Sequence, residues 1–207
     1  HGTELVTVAF FTPDDEHAPF ETQADESLSL ASLAGYSRVV QSPYLDHDLL
    51  LEALARASCD AVWPGWGFVS EDHGFVRALE RAGLVFLGPS SEAMARLGDK
   101  VAAKRLAEQA DVPILPWSGG NVSSLDEAWR IAAEIGYPVI VKAASAGGGR
   151  GIRVVRSEKM LEAQYAGARD ETIRVTGGDL LFIERLVETG RHLEVQCLAD
   201  MHGNVTT

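Results

Sequence analysis

The chain has 207 residues, 46% of them hydrophobic and 23% charged, enough for one large domain or two small ones with ordinary cores. A formal net charge of -12 and a pI near 4.9 repel nucleic-acid phosphates and anionic lipid, and no apolar run approaches the ~20 residues that span a bilayer. Neither nucleic acid nor membrane is therefore an expected partner.

Cys59 and Cys197 stand far apart, without CxxC or zinc-ligand spacing, and read as buried, reduced thiols. No signal peptide opens at His1, so a cytoplasmic location is expected. Residues 5–11 form an apolar strand that ends in the acidic turn Thr12-Pro13-Asp14-Asp15-Glu16, and residues 37–40 read as a second short strand. Asp46-His47-Asp48 then opens an amphipathic helix over 49–57. The triplet has the composition of a metal cluster, but capping at the positive end of the helix accounts for it without one.

Strand 60–62, loop 64–71, helix 72–82 and strand 84–87 follow in an alternation that predicts a parallel sheet flanked by helices. Such sheets bind ligands at loops beyond the strand C-termini, where Trp66 lies; Trp63 and Trp66 either pack or line a site. Helix 91–97 stops at Gly98, and Asp99 caps a helix over 100–110. Lys100 in its first turn meets the positive end of the helix dipole, unfavourable by ~0.3–1 kcal/mol unless water or an anion faces it. Residues 111–120 read as a strand with loop, Ser124-Leu125-Asp126-Glu127 as a capping box, and 128–135 as the helix behind it.

Val139-Ile140-Val141 is a buried strand ending in Lys142, a second strand covers 152–155, and between them stand Gly147, Gly148, Gly149, Arg150 and Gly151. Glycine weakens helix and strand alike, so this run belongs to a loop whose N–H groups can turn toward an anion, with Lys142 and Arg150 adding charge. A polyphosphate is the natural guest; a surface hairpin that binds nothing is the alternative. GxxxxGK[ST] is absent, and no glycine follows at the spacing a dinucleotide fingerprint needs. Helix 157–174, a turn at Gly177-Gly178-Asp179 and strand 180–187 complete this region. Leu193, Val195 and Cys197 then alternate with His192, Glu194 and Gln196 as in a strand, before a hairpin turn over 200–204 and a partner strand that is cut off at Thr207.

Tyr137-Pro138-Val139-Ile140-Val141-Lys142-Ala143 followed by GGGRGIRVV resembles the mobile lid of the ATP-grasp enzymes, in particular the biotin carboxylase branch. Four further stretches agree in order: Asp60 through Glu71 (DAVWPGWGFVSE), Phe86-Leu87-Gly88-Pro89-Ser90, Leu97-Gly98-Asp99-Lys100 and Arg191-His192-Leu193-Glu194-Val195-Gln196. The resemblance implies an α/β fold: a parallel-sheet first domain (1–89, its first strand missing), a helical linker (90–123), a small α+β ATP-grasp lid (124–187), and the start of a third, truncated antiparallel sheet (188–207).

It implies, too, that Mg-ATP (or Mn-ATP) phosphorylates bicarbonate and that carboxyphosphate passes CO2 to biotin on a carrier domain. Lys100 and Lys142 match the lysines on the nucleotide phosphates; Gly147, Gly148, Gly149, Arg150 and Gly151 match the lid loop; Ile152 matches the apolar contact to the base. Glu184, Arg185, Leu186 and Val187 match the strand and hinge at the adenine edge, and His192 the residue near the ribose. From the residues alone, the alternative for Glu184 and Arg185 is a surface ion pair, worth ~0–1 kcal/mol and unable by itself to select a position. Trp66 and Glu71 match the loop on the biotin and bicarbonate side.

Trp63-Pro64-Gly65-Trp66-Gly67 replaces the His-Pro-Gly-Tyr-Gly of most of the family, and with Leu115-Pro116-Trp117-Ser118-Gly119 looks most like the single-chain acyl-CoA carboxylases. The family's metal-binding carboxylates and catalytic base are expected beyond Thr207, leaving this stretch inactive by itself. A carboxyltransferase domain and a homo-oligomer complete the implied partners. Pyruvate or urea carboxylase, or a carbamoyl-phosphate synthase-like ligase, is the alternative.

Overall fold

The computed structural model describes residues 5–33, 42–144 and 151–207, in two compact units, His1–Ala103 and Lys104–Thr207. In the first, β1 (Val8–Phe11) is followed by α1 (Pro19–Thr22), β2 (Glu26–Ser29), α2 (Leu30–Leu33), α3 (His47–Arg56), β3 (Ala61–Val62), α4 (His73–Arg81), β4 (Val85–Phe86), α5 (Ser91–Gly98) and α6 (Lys100–Gln109), which crosses into the second unit. Both pairings, β1 with β2 and β3 with β4, are parallel, as the βα alternation requires. The expected strand over 37–40 lies outside the described residues.

The helices start where short polar side chains meet orphan N–H groups. Asp46 accepts from the Leu49 N–H (3.1 Å), Asp72 from those of Gly74 (2.8 Å) and Phe75 (3.0 Å), Ser90 from Ala93 (3.2 Å), and Asp99 from Ala102 (2.7 Å). Asp46 thus does the capping that its triplet suggests, while His47 bonds to the Asp72 carboxylate at 2.9 Å. Leu30, Leu49, Leu50, Ala53, Leu54, Val69, Phe75 and Leu79 form the core beneath these caps.

The second unit is built on a three-stranded antiparallel sheet, β6-β5-β7, from β5 (Val139–Ala143), β6 (Ile152–Val155) and β7 (Leu181–Arg185), with α7 (Leu125–Ile135) and α8 (Glu158–Thr176). β8 (Leu198–Ala199) and β9 (Val205–Thr206) make a separate hairpin. Pleating sends alternate residues to opposite faces. Val139, Val141 and Ala143 share a face with Val155, Leu181 and Ile183, and these join Ala128, Ile131 and Ala132 of α7 and Leu161, Tyr165 and Ala168 of α8 in one core. Ile140 and Lys142 share the other face with Ile152, Val154, Phe182 and Glu184. The helices leave this second face to other parts of the chain.

Three expectations and one alternative are corrected. Residues 111–120 hold no strand; Trp117 and Val122 instead make isolated bridges to β7, with the Ser118 N–H donating to the Ile183 carbonyl (2.8 Å). Pro113 and Pro116 have no N–H to give a continuous ladder. Residues 192–197 are not a strand either: Leu193 and Val195 are exposed at 76% and 73%, and among the described residues nothing pairs with them. Cys197 is exposed and Cys59 half-buried, so neither thiol is buried as expected. No Glu184–Arg185 ion pair forms, because neighbours along β7 point to opposite faces; Arg185 donates instead to the Ile135 (3.1 Å) and Gly136 (2.9 Å) carbonyls at the end of α7.

Candidate nucleotide site

Glu184 is the centre of the second face. Its side chain is 7% exposed, and it contacts Lys104 Nζ through Oε2 (2.8 Å) and Lys142 Nζ through Oε1. Burial pushes its carboxyl upward, but the hydrogen bonds and charges of Lys104 and Lys142 outweigh that and hold it below the usual carboxylate range. Two ammonium groups on one carboxylate leave surplus positive charge at the end of β5. Among the described residues, no group of three or more His, Cys, Asp or Glu side chains is placed to hold a metal ion.

The strands position these groups by register. Lys142 pairs with Ile152 on one side and Phe182 on the other, while Ile140 pairs with Val154 and Glu184. Ile152, Lys142 and Glu184, widely separated in sequence, therefore stand on one surface. Phe182 is buried beneath Trp117, whose ring meets it edge-on at 6.3 Å. Gly151 enters β6 with φ 66°, its carbonyl accepting from the Ala143 N–H at 3.0 Å. Gly147, Gly148, Gly149 and Arg150 lie outside the described residues.

At the far end of β7, the Leu186 N–H is occupied by the Pro138 carbonyl at 3.1 Å, and Val187 is 53% exposed. His192 is exposed, belongs to no strand, and pairs with Glu194 at 3.1 Å. In the first unit, Lys100 is the first residue of α6 and half-buried. Trp66 is 96% exposed in a loop that turns through positive φ at Gly65 (67°), Gly67 (88°) and Phe68 (46°), and Glu71 closes the 3-10 turn behind it. Lys104 belongs to none of the recognisable motifs. Its signal in the sequence is slight: it follows Lys100 by one helical turn, on the same side of α6.

Residues 1–94 match the family described as biotin carboxylase, N-terminal domain, and residues 99–207 match carbamoyl-phosphate synthase L chain, ATP binding domain. The chain belongs to the biotin carboxylase family. Its fold is that of the biotin carboxylase part of the ATP-grasp enzymes, and solved structures agree. A Campylobacter jejuni biotin carboxylase in complex with β,γ-ATP superposes with a TM-score of 0.87 at 37% identity, over 96% of this chain and 43% of that one. The biotin carboxylase domain dimer of Hydrogenobacter thermophilus 2-oxoglutarate carboxylase, bound to MgADP, ADP and bicarbonate, gives 0.84 at 34%, over 96% and 42%.

Pyruvate carboxylases of Bacillus subtilis and Caenorhabditis elegans are 39% and 40% identical over 96% and 98% of this chain. The chain spans 17% of the length of these two relatives.

Proposed function

We propose that this biotin carboxylase chain holds ATP for the carboxylation of biotin by bicarbonate. The observation that carries the reading is Glu184, a buried carboxylate shared by two lysines on the face of an ATP-grasp sheet that is turned away from its helices. The surplus ammonium charge suits a polyphosphate, and Lys142 is the lysine that adjoins the glycine loop. A point charge there offsets the charge that grows on the phosphate oxygens as the terminal group leaves. Glu184, with apolar Ile140 and Ile152 beside it, suits the amino edge and face of the base; Arg185, Leu186 and Val187 supply backbone at its margin, and His192 lies toward the ribose. Lys100 is a second phosphate ligand. Gly147, Gly148, Gly149, Arg150 and Gly151 cover the phosphates, and Trp66 and Glu71 face biotin and bicarbonate.

Magnesium or manganese accompanies the nucleotide, and biotin arrives on a carrier domain that also visits a carboxyltransferase domain, within a homo-oligomer. The first domain covers 1–89, a helical linker 90–123, the lid 124–187, and the start of the third domain 188–207. For the final acceptor, Trp63-Pro64-Gly65-Trp66-Gly67 and Leu115-Pro116-Trp117-Ser118-Gly119 favour an acyl-CoA, while the resemblance to pyruvate carboxylases favours pyruvate. Incorporation of labelled bicarbonate into acetyl-CoA, propionyl-CoA or pyruvate, by the enzyme that contains this chain, decides between them.

The nucleotide reading is tested by the thermal midpoint with Mg-ATP. A ligand at about a hundred times its dissociation constant adds ~2.7 kcal/mol, or several degrees for a chain of this size. The shift is expected for the native protein and absent for Lys142→Ala. An unchanged shift in the variant would remove Lys142 from the phosphate site.

A further inference from the structure

One ammonium group is enough to neutralise Glu184, yet two are present, and they are held differently. Lys104 is gripped twice. Besides its 2.8 Å contact with Glu184, its Nζ lies 5.5 Å from the centre of the Trp117 ring, which is itself fixed by donation to Glu108 Oε1 (2.7 Å) and by the edge contact with Phe182. Lys142 is the more exposed of the two, 27% against 19%, and is the last residue but one of β5.

We propose that Lys104 is a positioning residue that keeps Glu184 neutralised so that Lys142 is free to turn to a polyphosphate. A buried carboxylate stripped of its partners is costly, so Glu184 retains whatever cation it has. With Lys104 in place, Lys142 leaves without orphaning the carboxylate. Without Lys104, Lys142 becomes the sole counter-ion and is withheld from the phosphate. The inference rests on the phosphate reading of Lys142 given above, and adds a residue that the family motifs do not include.

Inorganic tripolyphosphate titrated calorimetrically into the protein is the direct probe, because it carries no base for Glu184 to bind. Lys104→Met is expected to weaken binding about tenfold, equivalent to about 1.4 kcal/mol. Lys104→Arg, which keeps the charge, is expected to bind as the native protein does, and Lys104→Met combined with Glu184→Gln to recover the loss, since Lys142 then has no carboxylate to hold it. Arg105→Met removes a cation from the next position of α6 without touching Glu184, and is expected to leave binding unchanged. Native-like affinity in Lys104→Met beside a loss in Lys142→Ala would overturn the positioning role while sparing the phosphate site. So would a loss that the double variant fails to recover, or one that Arg105→Met shares. Native-like affinity in Lys142→Ala would overturn the phosphate reading and this inference with it.

Discussion

Gly151 shows how little room the entry to β6 allows. A Cβ placed on it would stand 2.8 Å from Ala143 Cβ and 2.9 Å from Thr172 Oγ1, and its φ of 66° disfavours any other residue. Its N–H, ahead of the Arg153 side chain, holds the Glu171 carboxyl below the usual range, so that α8 and the start of β6 are tied at this point. Gly151→Ala is strained in both backbone and packing, with an expected loss of about 2–3 kcal/mol. Gly119 has a similar φ of 69° but nothing within 4 Å of a built Cβ, so Gly119→Ala isolates the backbone part, about 1–2 kcal/mol. Denaturant midpoints of the two variants measure the difference; equal losses would mean that Ala143 and Thr172 yield.

At the scale of elements, β7 depends on a neighbour that is not a regular strand. Ser118 Oγ accepts the Ile183 N–H (3.2 Å) and donates to the Gly120 carbonyl (2.6 Å), joining residues 116–122 to the sheet edge. Ser118→Ala leaves the Ile183 N–H short of a partner beside a buried side chain, and a loss of about 1–3 kcal/mol in thermal or chemical unfolding is expected. A native midpoint would mean that the backbone bonds carry the edge without the hydroxyl. This edge was hard to read in advance: an apolar stretch interrupted by prolines signals extension but not which hydrogen bonds form. β5 and β6 were legible because apolar runs flank the glycines, and α3, α4 and α7 because Asp46, Asp72 and Ser124 cap them. β2, Glu-Ser-Leu-Ser, has no apolar signature and is made by its pairing with β1. Residues 192–197 carry the right alternation without a partner. Glu184 was legible by family resemblance, whereas Lys104 reaches it from a helix eighty positions earlier in the sequence, a proximity that only the packed unit creates.

For the molecule as a whole, acid is the expected weak side. Asp72 and Glu184 both have carboxyls below their ordinary values of 3.8 and 4.5: burial raises each, but is outweighed by the Phe75 N–H and His47 at Asp72, and by Lys104 and Lys142 at Glu184. A depressed folded-state value means stabilisation that is complete above the unfolded value and lost as pH falls through the folded one. Urea midpoints should therefore hold steady from about pH 7 to 5 and decline below about pH 4.5. Asp72→Ala, at a cost of about 1 kcal/mol near neutrality, should begin to lose its disadvantage as pH falls below the ordinary carboxyl value of 3.8 and lose it once pH has passed below the depressed folded-state value; a gap that does not narrow on acidification would assign the effect to packing. The three-stranded sheet has a consequence of another kind. Since β5 turns Val139, Val141 and Ala143 to the helices and Ile140 and Lys142 to the opposite side, tolerance along it is striped: one set of positions answers to the packing of the sheet on α7 and α8, the other to the charged face around Glu184. The chemistry of that second face can therefore be changed at every second residue of a single strand while the helix-packed core is left untouched.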